Sequence, residues 1–330
     1  MDLNRQAESL RKEVETVREE FGKVIVGNSD ILDYMFKALF AGGHILMEGL
    51  PGLGKTLMVR TVSRLLDLGF SRIQFTPDLM PADILGVNIL VEDQGGHRSF
   101  HFEKGPVFTN ILLADEINRA TPKTQSALLQ VMEEKHITIF GADHELDDFF
   151  LVLATQNPIE LKGTYPLPEA QLDRFMFKVN IVYPSRENLE SIARINVDSS
   201  GAIPLPPQVL DRDKVAAIRD FIAAIPVSDE IYKFASSLVY ATNPSSESSS
   251  AVTTRHIRYG SSPRGLIALL AASKISAFLD GRFNLSYEDL RENYQAALRH
   301  RVILSFEAQV AKVEVDDILS EIFDGIEKPH

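Results

Sequence analysis

The sequence contains no cysteine, and this absence excludes several kinds of chemistry. Disulfide bonds, thiolate metal sites and thiol nucleophiles all need a sulfhydryl side chain. Basic residues are also in deficit, because 34 Lys and Arg stand against 46 Asp and Glu and give a formal net charge of -12. Sequence-independent nucleic-acid binding neutralises phosphates with a surplus of Lys and Arg, so we expect no nucleic-acid partner.

Long apolar runs are missing as well. No stretch approaches the ~18 consecutive apolar residues that a membrane-spanning helix needs. The segment from Met1 to Glu20 is studded with charges and lacks the apolar centre of a signal peptide. We therefore expect a cytoplasmic protein with no direct membrane insertion. At 330 residues the chain exceeds the roughly 100–200 residues of a typical domain, which predicts two domains.

Short apolar segments bounded by turn residues recur through the first half of the chain. Continuous apolar runs of this length are typical of strands buried on both faces of a parallel sheet. Helical periodicity at residues 3–21, 29–41, 55–66 and 124–134 accompanies them. We predict an α/β, doubly wound core, in a first domain over residues 1–184, with strands at residues 45–48, 72–76, 110–115, 149–155 and 177–181.

Helical periodicity dominates the second half of the chain. Apolar residues recur at three- and four-residue steps in four segments, which predicts a smaller helical domain over residues 185–330. The Ser/Thr-rich stretch at residues 243–262 is predicted to be a loop within it. The four helical segments are residues 211–224, 229–240, 265–279 and 287–299.

Two stretches of the first domain alternate like strands around a turn, and we predict a hairpin in each. The first pairs residues 87–91 with 97–102, and the second pairs residues 137–140 with 146 onward. His97 and His101 lie at same-face spacing in the first hairpin. Because no acid or cysteine accompanies them, we interpret them as ordinary strand residues and not as metal ligands.

The strongest motif is the phosphate-binding loop GLPGLGKT at residues 49–56, which fits the pattern G-x-x-x-x-G-K-[ST]. It follows a predicted strand and opens a predicted helix, as the motif requires. Its glycines let successive backbone N–H groups point at phosphate oxygens, aided by the helix dipole. Lys55 is expected to bridge the β- and γ-phosphates of ATP, and Thr56 to hold Mg²⁺.

Polar residues end two of the other predicted strands. The acidic pair Asp115 and Glu116 follows an apolar run, which suits Asp115 to bind Mg²⁺ through its water shell and Glu116 to orient and polarise the attacking water. A helix cap or solvated turn is the alternative for this pair. Asn157 follows the next strand, where it could hydrogen-bond the water or γ-phosphate, or simply form a turn before Pro158.

These motifs resemble AAA+ ATPases, and longer strings resemble the MoxR family within them. The resemblance spans nearly the whole chain and implies a AAA+ P-loop core with inserted hairpins, followed by an all-helical lid. The strings are DEINRA at residues 115–120, ATQNP at 154–158 and LDRF at 172–175, with VIVG at 24–27, GPVF at 105–108 and SPR at 262–264.

The resemblance also implies roles for individual residues. Asn157 would be the sensor-1 residue, Arg264 the sensor-2 arginine, and Arg174 the arginine finger that acts on nucleotide held by the adjacent subunit. Arginine suits these roles because its planar fork stays charged and grips phosphate oxygens. The implied ATP contacts are Ile25, Val26, Gly27, Gly49, Pro51, Gly52, Leu53, Gly54, Lys55, Thr56 and Leu57.

Two further polar residues carry open alternatives. Gln74 is a candidate to restrain Glu116 when substrate is absent. Arg119 is a second candidate to reach across a subunit boundary, and a solvated arginine is the alternative. The resemblance places both hairpins toward a central pore, but neither carries an aromatic-hydrophobic-glycine pore loop. Remodelling of a folded partner therefore fits better than threading of an unfolded chain.

The predicted function is Mg²⁺-dependent ATP hydrolysis by a homo-oligomeric ring, with six subunits expected. Relatives imply chaperone-like maturation of partner proteins or metalloenzymes, with a von Willebrand factor A-domain protein as partner. A motor subunit resembling magnesium chelatase is the main alternative. A nucleic-acid remodeller resembling the minichromosome maintenance helicases fits the charge less well, and a nucleotide-gated scaffold without turnover is disfavoured by Glu116.

Overall fold

The computed structural model describes residues 3–92, 98–139, 141–158, 163–198 and 205–327. Among these residues, no helix combines the length and the apolar character that crossing a bilayer requires. The strands are β1 Ile45–Glu48, β2 Phe70–Gln74, β3 Gly86–Glu92, β4 Arg98–Lys104, β5 Ile111–Asp115, β6 His136–Ile139, β7 Ala142–Glu145, β8 Leu151–Gln156, β9 Phe177–Asn180, β10 Ile257–Tyr259 and β11 Ile303–Leu304.

Helices surround the strands and make up most of the second half of the chain. A short 3-10 helix, Ile117–Arg119, also follows β5. The α-helices are α1 Leu3–Val24, α2 Ser29–Ala41, α3 Lys55–Leu65, α4 Pro81–Leu85, α5 Pro122–Glu134, α6 Glu169–Leu172, α7 Arg186–Asp198, α8 Arg212–Ala223, α9 Asp229–Tyr240, α10 Ala251–His256, α11 Pro263–Leu279, α12 Tyr287–Leu298, α13 Phe306–Val310 and α14 Val315–Gly325.

The main sheet is built from the five predicted strands. Its order is β2-β5-β8-β1-β9, and each neighbouring pair is parallel. The prediction of a largely parallel α/β core is confirmed, with strand ends shifted by one or two residues. The register aligns Gln74 with Asp115 and Glu48 with Gln156, so polar side chains collect at the carboxyl edge of the sheet.

Each buried strand contributes to two apolar layers because successive side chains point to opposite faces. Leu113 and Leu153 belong to the cluster that contains Val59 of α3, whereas Leu112 belongs to the opposite cluster with Leu128 of α5. Fully burying one such side chain stabilises the fold by roughly 1.5–3 kcal/mol. The two layers fix the sheet edge on which the polar residues stand.

The second half of the chain is helical, with a short antiparallel pair of strands, β10 and β11. The four predicted helices are confirmed as α8, α9, α11 and α12, with end shifts of at most two residues. The predicted loop at residues 243–262 is wrong in part, because α10 and β10 lie inside it. Ser250 caps α10 by accepting the N–H of Thr253 at 3.2 Å, and Ile257 pairs with Leu304.

Both inserted hairpins are present. In the first hairpin, β3 pairs with β4. His101, which was predicted to be an ordinary strand residue, is exposed and pairs with Ile89, whereas His97 lies outside the described residues. The second hairpin was predicted with the wrong arm, because β6 pairs with β7 at residues 142–145 instead of with residues from 146 onward. Gly141 adopts φ 80°, which allows the chain to turn directly after β6.

Candidate functional site

The phosphate-binding loop has the backbone that its glycines permit. Gly52 and Gly54 adopt φ values of 82° and 77°, which residues with a Cβ rarely occupy. Gly54 is the N-terminal cap of α3, and Lys55 is the first residue of that helix. The loop therefore curls back on itself and presents the helix N-terminus, with its unpaired N–H groups, to an anion.

Lys55 lies inside the loop and is half-buried. Its Nζ donates a hydrogen bond to the carbonyl oxygen of Gly49 at 2.7 Å. Burial lowers the pKa of Lys55, although the charges of Asp115 and Glu116 act in the opposite direction. A partly desolvated ammonium group gains more from a nearby anion than one in bulk water does, because the local dielectric is lower.

Asp115 and Glu116 are organised by a residue that the sequence marks only as part of a strand. The Thr155 hydroxyl donates to Asp115 Oδ1 at 2.6 Å and accepts the backbone N–H of Glu116 at 2.9 Å. Glu116 adopts φ 58°, a left-handed conformation that is uncommon outside glycine. The hydrogen bond from its own N–H therefore holds Glu116 in the conformation that turns its side chain away from the strand direction.

The Glu116 carboxylate is held by two side chains. Its Oε2 accepts hydrogen bonds from Gln74 Nε2 and from Arg119 Nη1, both at 2.9 Å. The contact expected between Gln74 and Glu116 is thus present, and Arg119 forms an ion pair in its own subunit. Gln74 reaches Glu116 because β2 and β5 are neighbours in register.

Arg72, two residues before Gln74 on β2, completes the acidic end of the site. Its Nη2 lies 2.7 Å from Asp115 Oδ2 and 2.7 Å from Gln74 Oε1. No local pattern distinguishes Arg72 from any other exposed strand arginine. Its partner is 43 residues away, so the signal that could have found it is the strand pairing itself.

These groups converge on one cavity of about 500 Å³. It lies at the carboxyl edge of the parallel strands, where such sheets present ligand-binding groups. Asn157, which follows β8 and is 8% exposed, also faces it. The cavity is lined by Gly49, Pro51, Gly52, Leu53, Gly54, Lys55, Thr56, Leu57, Arg72, Gln74, Asp115, Glu116, Thr155 and Asn157.

A more apolar cavity adjoins the phosphate loop and shares Pro51, Gly52, Leu53, Gly54 and Leu57 with the first. Its apolar lining suits a flat aromatic base. Ile25 and Val26, expected to contact nucleotide, line it. The sequence interpretation missed the opposite wall, which consists of Tyr183, Pro184, Leu189, Ile192 and Ile195 at the start of the second half of the chain.

Gly27 is expected to contact nucleotide, but its clearest role is local. It adopts φ 74°, and the side-chain nitrogen of Asn188 lies 2.7 Å from the point where a Cβ would stand. The positive φ favours glycine at this position, and a larger residue would also require the Asn188 side chain of α7 to move.

The structure does not bring Arg174 and Arg264 to the phosphate loop of their own chain. Both line a separate cavity of about 210 Å³ between the sheet domain and the helical region. Glu133 holds both arginines: Arg174 Nη2 lies 3.0 Å from its Oε2, and Arg264 pairs with its Oε1. Arg174 also donates to the carbonyl oxygen of Leu129 at 2.8 Å.

Asp173 connects this second cavity to the protein interior. It accepts a 2.8 Å hydrogen bond from Arg301, whose side chain is only 3% exposed, and another 2.8 Å bond from the hydroxyl of Ser262. Arg301 also donates to the carbonyl oxygen of Phe175 at 2.7 Å. Arg301 is separated by 128 residues from Asp173, which explains why no local motif reveals it.

Both parts of the chain match described protein families. Residues 44–177 match the ATPase family associated with various cellular activities (AAA), and residues 249–322 match the AAA lid domain. The chain is 38% identical to "Chaperone MoxR1" of Mycobacterium tuberculosis over 327 residues, which are 98% of this chain and 85% of that protein. The chain belongs to the MoxR family of AAA+ ATPases.

Other proteins also match nearly the whole chain. YeaC of Bacillus subtilis is 39% identical over 313 residues, which are 94% of this chain and 93% of that protein. A solved structure from Cytophaga hutchinsonii, described as a candidate ATPase, is 38% identical and superposes with a TM-score of 0.92 over 99% of this chain. The MoxR resemblance, the AAA+ fold and the ATPase activity predicted from sequence are thereby confirmed.

Proposed function

We propose that this MoxR ATPase hydrolyses ATP with Mg²⁺ in a homo-oligomeric ring, expected to be hexameric, in which each active site is completed by the next subunit. The observation that carries this proposal is the separation of Arg174 and Arg264 from the phosphate cavity of their own chain. Both residues line a second cavity, which is separate from the phosphate cavity. They would serve catalysis if that surface met the nucleotide of a neighbouring subunit.

Within one subunit, the two adjoining cavities would divide the nucleotide between them. The phosphates would lie against the N–H groups of the loop and Lys55, and the base against the apolar wall formed by Ile25, Val26 and α7. The helix N-terminus and Lys55 supply positive potential where the phosphate charge concentrates. Every predicted ATP contact from residue 49 to 57 lines at least one of the two cavities.

The oxygen donors of the phosphate cavity fit Mg²⁺. The ion takes one or two protein oxygen ligands and completes its shell with phosphate oxygens and water. The Thr56 hydroxyl and the Asp115 carboxylate line the same cavity and would hold it. When bound, Mg²⁺ would neutralise charge on the phosphate oxygens.

Glu116 is the residue proposed to orient and polarise the attacking water. Thr155 fixes its backbone, and Gln74 and Arg119 hold its carboxylate to one side. Release from these partners would turn the carboxylate toward the water. Asn157 would hydrogen-bond the water or the γ-phosphate from the end of β8, because it lies in the same cavity.

Arg174 and Arg264 are proposed to act on the phosphates held by the neighbouring subunit. Glu133 keeps the two guanidinium groups side by side, so both would approach the same nucleotide. Charge added from outside the phosphate loop stabilises the transition state of phosphoryl transfer, because negative charge spreads over the transferred oxygens.

Chaperone-like remodelling of partner proteins is the proposed use of this hydrolysis. The relative from Mycobacterium tuberculosis is named a chaperone. The first hairpin exposes Leu90 and Phe100, which are 55% and 75% accessible, so it offers apolar contact area to a client. We propose cytoplasmic clients, including metalloenzymes that mature with a von Willebrand factor A-domain protein.

The test is the specific ATPase activity measured across a dilution series in Mg²⁺. If active sites are shared, activity per subunit rises with protein concentration as subunits associate. A mass measurement at each concentration shows whether the rise follows assembly. Undiminished activity in a sample shown to be monomeric would contradict the shared site.

A further inference from the structure

The acidic end of the phosphate cavity contains a positively charged side chain, that of Arg72. Arg72 Nη2 contacts Asp115 Oδ2 at 2.7 Å, on the carboxylate expected to hold Mg²⁺. The other oxygen of Asp115 accepts the Thr155 hydroxyl. Both carboxylate oxygens of Asp115 are therefore engaged in hydrogen bonds within the chain.

The geometry distinguishes this contact from an ordinary surface ion pair. The Asp115 side chain is only 18% exposed, although that of Arg72 is 45% exposed, and the parallel pairing of β2 with β5 fixes the strands that carry the two residues. The same Nη2 also donates to Gln74 Oε1 at 2.7 Å. A charge-assisted hydrogen bond to a carboxylate that is largely shielded from water is screened less than one between two fully exposed side chains.

The charges that line the cavity explain why such a contact is needed. Among the described residues lining it, Lys55 and Arg72 are the cations and Asp115 and Glu116 are the anions. Glu116 has Arg119 as its partner, and Asp115 has Arg72. Without Arg72, the Asp115 carboxylate would repel the phosphates of a nucleotide that binds without metal.

Mg²⁺ and Arg72 compete for the charge of Asp115. A divalent cation beside this carboxylate repels the guanidinium, because like charges a few ångströms apart in a partly shielded cavity interact strongly. Binding of the ion therefore weakens the contact between Arg72 and Asp115. The strength of the ion pair between Arg72 and Asp115 therefore helps to determine how strongly Mg²⁺ binding and nucleotide binding are coupled.

We propose that Arg72 is the counter-ion of the metal-site carboxylate: it neutralises Asp115 while the cavity lacks Mg²⁺ and yields the carboxylate when Mg²⁺ arrives with the nucleotide. Arg72 thus supports nucleotide binding without metal and reduces the additional affinity that Mg²⁺ provides. This proposal rests on the proposed Mg²⁺ dependence, and it concerns binding, not turnover.

The test measures ADP affinity by titration calorimetry in excess EDTA and in saturating Mg²⁺, so that no hydrolysis intervenes. We expect Arg72→Gln to weaken metal-free binding about tenfold, the size expected when the uncompensated Asp115 charge repels the phosphates across a partly shielded cavity, and to leave binding in Mg²⁺ within about twofold of wild type. The enhancement by Mg²⁺ then grows about tenfold. Arg212→Gln is the matched control, because Arg212 pairs with Asp147 outside the cavity and should leave the ratio unchanged.

A double-mutant cycle shows whether Arg72 acts through Asp115. In an Asp115→Asn background no ion pair holds the Arg72 guanidinium in the cavity, so Arg72→Gln should change metal-free affinity by less than about twofold. Arg72→Lys, which keeps the charge, should retain most of the metal-free affinity and guards against loss of fold. Thermal unfolding of each variant confirms that it is folded.

Two results would overturn the proposal. Equal weakening with and without Mg²⁺ would make Arg72 a direct phosphate ligand, and unchanged affinity in both conditions would make it a surface ion pair. Failure of the proposed Mg²⁺-dependent function would appear differently, as wild-type protein that binds ADP without Mg²⁺-dependent ATP turnover. The binding ratios would remain measurable in that event.

Discussion

Glu116 shows how one backbone conformation sets the chemistry available at this site. Its left-handed φ of 58° costs of order 1–3 kcal/mol for a residue with a side chain. The Thr155 hydroxyl offsets part of that cost, since it accepts the Glu116 N–H and donates to Asp115. This conformation, beside the phosphate loop, supports the proposal that Glu116 is positioned for catalysis.

Replacement of Glu116 by Gln tests its proposed role. The amide keeps the shape of the side chain but loses the basic oxygen that polarises water. We expect turnover to fall about 10²–10⁴-fold, with ATP still bound. Steady-state ATPase rates and nucleotide titrations check both parts. Glu134→Gln, at an exposed position of α5, is the control, and near-normal turnover by Glu116→Gln would remove Glu116 from the mechanism.

His44 predicts a pH dependence of stability. It is buried against β8, where its Nδ1 accepts the N–H of Val152 at 3.0 Å, and burial lowers its pKa to about 4. The unfolded chain, with a pKa of 6.5, therefore binds more protons between these values, so stability is lost as pH falls from 6.5 toward 4. His44 alone should account for about 2 kcal/mol of loss between pH 7 and pH 5.

Urea unfolding at the two pH values checks this prediction. In His44→Gln, the loss of unfolding free energy between pH 7 and pH 5 should be smaller than in wild type by about 2 kcal/mol. His101→Gln, at an exposed position of β4, should keep the wild-type difference. A His44→Gln variant with the full wild-type loss would assign the acid sensitivity to other groups.

Apart from Gln74, whose contact with Glu116 the family resemblance suggested, the residues of the phosphate cavity that were predicted from sequence are those with a local code. Lys55, Asp115 and Glu116 each lie in a short motif next to a strand end, so chain order alone places them. Thr155 and Arg72 meet Asp115 only through strand pairing, and no spacing along the chain encodes that pairing. Long-range contacts between strands and helices, not residue type, separate the predicted part of the site from the rest.

At the scale of elements, the join between the sheet domain and the helical region depends on Asp173. This residue precedes β9, and it binds Arg301 after α12 and Ser262 at the start of α11. Removal of a partner leaves a buried charge uncompensated, which is far more costly than loss of an exposed ion pair. Asp173 and Arg174 are adjacent, so the same turn that presents Arg174 is tied to both helices.

Asp173→Ala should therefore destabilise the protein by about 3 kcal/mol, as measured by urea unfolding. Asp324→Ala is the matched control, because Asp324 forms an exposed pair with Arg291 and its loss should have a far smaller effect. Equal effects of the two variants would show that the Asp173–Arg301 contact does not join the two regions.

The elements themselves were predictable to different degrees. The three central strands of the main sheet, β5, β8 and β1, stand out because they are apolar on both faces. Helix α9 was predicted with its observed bounds. The second arm of the second hairpin was not predicted correctly, since β7 contains charged residues, Asp143 and Glu145, that are typical of a turn. The segment with α10 and β10 is rich in Ser and Thr, and its structure depends on the distant pairing with β11.

At the scale of the whole molecule, the two functional surfaces of one chain face different cavities. One carries the phosphate loop, the acidic pair and Asn157, and the other carries Arg174 and Arg264. A closed ring joins unlike surfaces of identical subunits, which is what such a pair of half-sites requires. The account therefore predicts that neither half hydrolyses ATP efficiently by itself.

Mixing two inactive variants tests this central claim most directly. Arg174→Ala keeps an intact phosphate cavity but lacks the arginine, whereas Lys55→Ala keeps the arginine but lacks the phosphate contact. Each alone should show little ATPase activity. If sites are completed between subunits, the mixture recovers activity at interfaces that pair the two intact halves. A mixed ring, confirmed by mass measurement, with no more activity than the separate variants would contradict the account.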